Sequence, residues 1–400
     1  MASSPSVVPP ERGTHAERFV SLDGLRGLAA VIVVLHHLSL TMPAVADVYL
    51  KPGARPPAMG SLYWWFTSGP AQVLVAGPEA VLVFFALSGF VVALPVLRSS
   101  RFDWVAYYPR RVVRLYLPIV ASILLAIVWI LVSHQDQRSA SSLWVSSAST
   151  SSISWRGAFS ATDVLFGSAP LNNPLWSLRW EVTFSLALPI FVVIALGVRK
   201  WWWALLIATV PLVFAGQLTG NGSFVYLPVF LIGTVLAVRV DDIRDWLSHP
   251  RVARWSGVGG AVVLVLSLAL INLHWEIWGI RPDAKDLRVV TDSVVFIGAF
   301  GLVALAAFWR PAIRMLSTKA FRWLGRVSFS LYLVHVPIIV AIGSLIGRGH
   351  STIVIPVSFL LALVVAELFS RFVELPAHRF ARAVGRWAAR VLADSKLGRP

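Results

Sequence analysis

Cysteine is absent from this chain of 400 residues. That absence excludes structural disulfides, thiolate nucleophiles and cysteine-ligated metals. Charged side chains are also scarce, because Asp, Glu, Lys and Arg together make up 14% of the residues, whereas an average soluble domain has roughly 25%. Hydrophobic residues account for 57%. Water is therefore not the main solvent of this protein.

Apolar runs long enough to cross a membrane recur along nearly the whole chain. A bilayer core of roughly 30 Å needs about 20 apolar residues in a helix. The first run could also be a cleaved signal peptide, since Ala44-Val45-Ala46 follows it, but the ionisable residues inside it argue against a disposable segment. The sequence predicts ten transmembrane helices, at about 22–41, 72–97, 112–133, 180–198, 201–216, 224–238, 255–271, 289–308, 329–346 and 352–373.

The charge of the chain, formally +16, is explained by membrane topology. Basic residues form short blocks between apolar runs, which does not resemble a nucleic-acid-binding face. Arginine and lysine concentrate in alternate loops, so the positive-inside rule predicts a multi-pass plasma-membrane protein with both termini in the cytoplasm. We expect an all-α fold with three parts: a flexible cytoplasmic tail (1–20), a ten-helix domain (21–376) and a basic cytoplasmic tail (377–400).

The first predicted helix carries four ionisable residues, which are costly at membrane depth and therefore usually face a cavity or a partner. At 100° per residue, Arg26 and His37 lie about 20° apart around the helix axis, whereas His36 is turned about 100° away from His37. Asp23 lies about 40° from His37 by the same geometry. His37 is therefore the better candidate for a general base, although a histidine that only hydrogen-bonds a neighbouring helix has the same pattern.

A block of three arginines begins the third predicted helix. Arg111 and Arg114 are one helical turn apart, and Arg110 precedes them. Planar guanidinium groups suit the bidentate binding of phosphates. Taken alone, however, basic residues at an inner membrane boundary are better explained as topology determinants or lipid contacts.

Other polar residues of the predicted helices are further candidates. Glu181 follows two tryptophans near the outer entrance of the fourth helix, where it could orient His37, hold a sugar or simply occupy the interface. His335 lies in the ninth helix near Ser328 and Tyr332, and the pattern favours a structural role for this cluster slightly over a catalytic one. Glu79 is a further buried acid. No metal-ligand spacing, phosphate-binding glycine loop or nucleophile elbow occurs, so neither a metal nor a serine nucleophile is expected.

Six segments, in this order, resemble the acyltransferase 3 family of membrane enzymes. They are Leu22-Asp23-Gly24-Leu25-Arg26-Gly27-Leu28-Ala29-Ala30 leading to His36-His37, Phe84-Phe85-Ala86-Leu87-Ser88-Gly89-Phe90, Arg111 with Arg114, Leu175-Trp176-Ser177-Leu178 with Glu181, the run from Gly325 to His335, and Val373-Glu374-Leu375-Pro376. The resemblance spans almost the entire chain. Leu82 stands where relatives often have an acid, a place that Glu79, one turn earlier, could fill.

The resemblance implies an O-acyltransferase that uses acyl-CoA as donor co-substrate. Its spacing of arginine and histidine selects Arg26 and His37, and it assigns Arg111 and Arg114 to the CoA donor. We expect His37 to deprotonate a hydroxyl of a carbohydrate or glycosylated natural product, with Asp23, Arg26 or Glu181 orienting the ring; a transient acyl-histidine is an alternative. Two other classes of protein remain open. A proton-coupled transporter would also bury histidines and carboxylates, but usually shows internal repeats, and a non-catalytic scaffold would tolerate loss of Arg26 and His37.

Overall fold

The computed structural model describes residues 19–51, 53–135, 140–150, 153, 155–165, 171–281 and 287–397. Within these ranges the chain is all-α, as the sequence predicts, and contains no strand. The predicted N-terminal tail lies outside the described residues as far as residue 18. The main helices are α1 (Val20–Ser39), α2 (Gly77–Arg98), α3 (Trp104–Ser133), α4 (Leu175–Leu186), α5 (Leu188–Gly197), α6 (Trp202–Thr219), α7 (Gly222–Val238), α8 (Val240–Ser248), α9 (Ser256–Ile280), α10 (Leu287–Asp292), α11 (Val295–Phe308), α12 (Lys319–Ile346), α13 (Ser351–Phe369) and α14 (Leu375–Leu397). Shorter helices cover Pro43–Leu50, Leu62–Thr67, Pro70–Val75, Leu143–Ala148, Trp155–Thr162, Pro250–Ala253 and Arg310–Leu316.

Eight helices of the described residues are long and apolar enough to cross a membrane, or ten if each of two bent pairs counts as one span. The polytopic architecture predicted from the sequence is thus confirmed. The bent pairs are α4 with α5, at 68°, and α7 with α8, at 55°. The first bend follows from Pro189 at the start of α5, because proline has no N–H to continue the hydrogen-bond ladder across Ala187.

Helix ends are set by residues with a clear local reason. Asp103 caps α3, since its carboxylate accepts a hydrogen bond from the backbone N–H of Ala106. The tight turn between α6 and α7 begins at Gly220, whose φ of +67° favours glycine, and Asn221 then caps α7 by accepting from Ser223 N–H. These caps determine where α3 and α7 enter the bundle.

Helix α12 lies at the centre of the bundle and contacts α1, α3 and α13. In its most apolar stretch 78% of the residues are buried, against 17% in α6 and in α9, which therefore lie at the periphery. Helices α1, α2, α7 and α11 enclose one apolar core, and α1, α3, α12 and α13 enclose a second. Since α1 and α12 both reach the middle of the bundle, their polar residues are shielded from the bilayer.

The outward faces of the peripheral helices are apolar. On α3, Leu124, Val128 and Leu131 are exposed at the spacing of one helix face. Such a face would be unfavourable in water but matches the hydrocarbon of a bilayer. The exposure pattern therefore agrees with a multi-pass membrane protein.

Candidate active site

A cavity of about 490 Å³ lies between α1, α2, α3, α4, α12 and α14. One part of its wall is apolar and comes mainly from α2, including Phe85 and Val91. The opposite part is strongly basic. The cavity can therefore accept a molecule that has both an anionic and an apolar portion.

Five arginines line this cavity, against two glutamates, Glu181 and Glu374, which leaves a formal surplus of three positive charges. Arg26 and Arg111 are engaged within the protein, as described below. Within the part of the chain that the structure describes, the other three arginines have neither a hydrogen-bond partner nor an ion-pair partner. These three are Arg110, Arg114 and Arg382. Unpaired guanidinium groups in one cavity favour a multiply charged anion.

Arg111 is held by α4. Its guanidinium forms an ion pair with Glu181, and its Nε donates to Ser185 Oγ at 2.9 Å. Ser88 on α2 donates to the same carboxylate at 2.8 Å. The sequence places Glu181 near the outer entrance of its span, but the structure places it in the cavity, because the break at Ala187 allows α4 to pack beside α3. Glu181 thus fixes Arg111, and among the described residues it forms neither a hydrogen bond nor an ion pair with His37.

Arg26 fixes α1 against α12. Its Nε donates to Ser328 Oγ and its Nη2 to the carbonyl oxygen of Gly325, both at 2.9 Å. Asp23 lies 4.0 Å from the same guanidinium. His37 is eleven residues further along α1, about 16 Å along the axis. Arg26 and His37 therefore share a helix face, as predicted, but Arg26 is too distant to orient the histidine ring directly.

The inner end of the cavity is formed by Tyr332, Ser177 and Phe84. The hydroxyls of Tyr332 and Ser177 lie 2.7 Å apart, and the ring of Phe84 contacts that of Tyr332. On α12, His335 follows Tyr332 by three residues, and their ring centroids are 5.8 Å apart. The arginine-lined cavity therefore ends one helical turn before His335.

His335 and His37 form a hydrogen-bonded pair beyond that end. His335 Nδ1 lies 2.8 Å from the carbonyl oxygen of Tyr332, and because a carbonyl only accepts, Nδ1 carries the proton and Nε2 is an acceptor in the neutral ring. His335 Nε2 lies 3.2 Å from His37 Nδ1, which is also 2.9 Å from the carbonyl oxygen of Val33. The network thus assigns the proton of His37 to Nδ1 and leaves its Nε2 with a free lone pair.

The two remaining candidate residues, His36 and Glu79, do not line the arginine cavity. His36 is buried, its Nδ1 lies 2.9 Å from the carbonyl oxygen of Val75, and its ring packs against Gly77. Glu79 accepts a hydrogen bond from Trp275 Nε1 at 3.1 Å and does not line the arginine cavity. Leu82, one turn later on α2, does not line this cavity either and packs against the cluster that contains Ile271 of α9, the helix that also carries Trp275.

Sequence reasoning missed three cavity residues at the C-terminal end of the chain, Glu374, His378 and Arg382. Glu374 belongs to a π-helical turn, Ser370–Glu374, where Pro376 interrupts the regular ladder, and it accepts from Ser330 Oγ at 2.6 Å. The segment predicted as a basic cytoplasmic tail, 377–400, is helical as far as Leu397 and packs along α3. The spacing of four residues between Glu374, His378 and Arg382 is the signal that could have placed them on one helix face.

The amino-acid sequence is similar to a known protein family and to several named proteins. The acyltransferase domain family model matches residues 19–371. The O-acetyltransferase PaAT-1 of Phomopsis amygdali is 26% identical over 82% of this chain and 73% of its own length. The O-acetyltransferase OatA of Staphylococcus aureus (strain NCTC 8325 / PS 47) is 23% identical over 89% of this chain and 56% of its own length. The putative peptidoglycan O-acetyltransferase YrhL of Bacillus subtilis (strain 168) is 24% identical over 91% and 55%.

The chain therefore spans little more than half the length of these two bacterial relatives. No solved structure matches. Among the described residues, the long apolar helices, the arginine cavity and the histidine pair define a polytopic membrane protein with a polar site inside its bundle. The match over residues 19–371 then makes the particular assignment: the chain belongs to the acyltransferase 3 family, as its motifs indicated.

Proposed function

We propose that this protein transfers an acetyl or short acyl group from acyl-CoA to a hydroxyl of a carbohydrate or glycosylated natural product, within the plasma membrane. One observation carries the proposal: a cavity with three unpaired arginines ends one helical turn before a hydrogen-bonded histidine pair. The names of the relatives, all O-acetyltransferases, support the acetyl group and the hydroxyl acceptor.

The proposed donor fits the cavity by charge and by shape. CoA carries phosphates at one end and the thioester at the end of a long, largely apolar arm. Arg110 and Arg114 would bind phosphates, with Arg111 held beside them by Glu181. The arm is needed because His37 lies about 16 Å along α1 from Arg26. Phe84 and Tyr332 are in contact at the end of the cavity, so their rings would have to separate for the arm to reach His335 and His37.

The proposed reaction uses the free nitrogen of His37. Nε2 of His37 accepts the proton of the acceptor hydroxyl, while the hydroxyl oxygen attacks the thioester carbonyl carbon. The bond between carbon and sulfur breaks, and the CoA thiolate takes the proton back from His37. His335 acts as a positioning residue, because its Nε2 accepts from His37 Nδ1 and so keeps the proton off His37 Nε2. Alternatively, Nε2 of His37 attacks the thioester first and carries the acyl group transiently, and the acceptor hydroxyl then takes the acyl group from the histidine.

Binding and turnover of acetyl-CoA test this proposal. We expect acetyl-CoA to raise the thermal midpoint of the detergent-purified protein saturably, and Arg114→Ala to remove most of this effect. Arg314→Ala is the matched control, because Arg314 lies in the helix Arg310–Leu316 and does not line the cavity. Stabilisation that is absent in the wild type, or equal in Arg114→Ala, would overturn the donor assignment.

The catalytic part of the proposal needs a second variant. His37→Gln should bind acetyl-CoA like the wild type and lose transfer by about 10²- to 10⁴-fold, the usual contribution of a general base. Release of CoA can be followed with a thiol reagent, because the chain itself contains no cysteine. Full turnover in His37→Gln would end the base hypothesis, and binding without transfer to any hydroxyl acceptor in the wild type would favour a transporter.

A further inference from the structure

Helix α14 forms one wall of the cavity, although it lies beyond the residues that the family model matches. It packs along α3 through a face of residues spaced three to four apart. At Gly385 the two helices are so close that a Cβ would come within 2.7 Å of the Ala106 carbonyl oxygen and 3.1 Å of Arg110 Cβ. Arg382 is one turn before Gly385, and it is therefore held beside the turn of α3 that carries Arg110.

Helices α3 and α14 each present a row of charged residues from the inner end of the cavity to its outer end. Glu374, in the π-helical turn immediately before α14, interacts electrostatically with Arg26 and Arg114. His378 and Arg382 follow one and two turns later on α14. Helix α3 runs in the opposite direction, so the order along the cavity there is Arg114 and then Arg110. Arg110 and Arg382 therefore lie on neighbouring turns of the two packed helices, and both are exposed.

Neither of these two arginines has a hydrogen-bond or ion-pair partner within the described ranges, although both line the same cavity. Two like charges near one another repel unless an anion lies between them. Two guanidinium groups that converge from different helices can hold a phosphate dianion with several charge-assisted hydrogen bonds. Among the described residues, α3 and α14 thus each contribute one unpaired guanidinium group to this end of the cavity.

We propose that Arg382 of α14 and Arg110 of α3 bind the 3'-phosphate of the CoA donor. The proposal rests on the function proposed above, because it takes CoA as the donor. The connectivity of CoA decides which phosphate is meant: the ribose 3'-phosphate is the anionic group furthest from the thioester, and the pyrophosphate lies between them. With the thioester directed toward His37, the pyrophosphate meets Arg114 and the 3'-phosphate meets the outermost pair. Helix α14 is then the element that distinguishes CoA from donors that lack this phosphate.

The test compares acetyl-CoA with 3'-dephospho-acetyl-CoA in full-length protein. In the wild type we expect KM to be about tenfold or more lower for acetyl-CoA, the size of a charge-assisted contact. Arg382→Ala should raise the KM for acetyl-CoA by about tenfold, leave that for the dephospho donor unchanged, and leave kcat unchanged for both. Arg382→Lys should recover part of the loss, because it keeps the charge without the planar fork. Arg379→Ala, an exposed arginine on the same helix that does not line the cavity, is the control and should behave like the wild type.

The outcomes separate this inference from the proposed function. If the wild type uses both donors with the same KM, the 3'-phosphate site is wrong while acyl-CoA remains the donor. If Arg382→Ala weakens both donors equally, Arg382 acts through the packing of α14 or on the pyrophosphate, and the inference is again wrong. If neither donor is turned over or bound, the proposed function itself fails.

Discussion

At the scale of single residues, Nδ1 of His37 has two acceptors, the carbonyl oxygen of Val33 and Nε2 of His335. A histidine in a membrane helix can have either tautomer, and the carbonyl oxygen of Val33 alone would fix only Nδ1 of His37 as a donor. His335 adds a second acceptor at 3.2 Å and thereby restrains the orientation of the ring. His335 is fully buried, whereas His37 is partly exposed. The two histidines come from α1 and α12, so the orientation of the His37 ring depends on how these helices pack.

Replacing His335 should therefore lower the turnover rate without weakening the binding of the acyl-CoA donor. We expect His335→Leu to reduce kcat by between about tenfold and a hundredfold, the effect of a misplaced catalytic group, while the KM for acetyl-CoA is unchanged. His335→Gln should restore much of kcat, because its amide can donate to the Tyr332 carbonyl and accept from His37. Steady-state kinetics of the two variants provide the check. A kcat in His335→Leu equal to that of the wild type would show that His37 is oriented by Val33 alone.

At the scale of elements, the approach of α1 to α12 positions the site. Both helices have glycine where they meet: a Cβ on Gly27 would collide with the backbone of Gly325, and a Cβ on Gly325 would collide with the carbonyl oxygen of Asp23. This close contact allows Arg26 to reach the Gly325 carbonyl and Ser328. The same contact aligns His37 with His335 further along the two helices.

Gly325→Ala should therefore destabilise the protein and reduce activity together. Overpacking of a tight interface costs about 1 to 3 kcal/mol, and here the obstacle is backbone, which cannot move aside. Gly259→Ala is the matched control: Gly259 lies inside α9 with open space around its Cα, so alanine should be neutral or stabilise the helix by up to about 1 kcal/mol. The thermal midpoint should fall in Gly325→Ala and should stay unchanged or rise in Gly259→Ala. An unchanged midpoint in Gly325→Ala would mean that α1 and α12 are not in the contact described.

The sequence predicted the elements better than their contacts. Ten apolar runs and the all-α class could be read from hydropathy, because a bilayer requires a long apolar helix for every crossing. The shared face of Arg26 and His37 followed from helix periodicity alone. The pairing of Arg111 with Glu181 could not be predicted, since it depends on a 68° bend in one span. His37 and His335 are 298 positions apart in the sequence, and a local sequence pattern cannot predict a contact between residues so far apart.

At the scale of the whole molecule, the arginine cavity and the far end of α12 lie on opposite sides of the bundle. Helix α12 begins beside Arg26 and ends at Ile346, and α13 returns the chain to α14 at the cavity. The positive-inside rule predicts that the cavity faces the cytoplasm, where acyl-CoA is available. Orientation and donor are therefore linked, because a cavity that opened to the outside could not receive the proposed donor.

The absence of cysteine makes this orientation directly measurable. We expect Asp394→Cys, exposed on α14, to react with a membrane-impermeant maleimide only in inside-out vesicles, and His350→Cys, exposed between α12 and α13, only in right-side-out vesicles. The unmodified chain offers no thiol, so every labelled molecule reports the introduced residue. Labelling in the reverse pattern would place Arg110, Arg114 and Arg382 outside the cell, and acyl-CoA could then no longer be the donor that enters this cavity. The predicted pattern would place the end of the bundle near His37 toward the outside of the membrane.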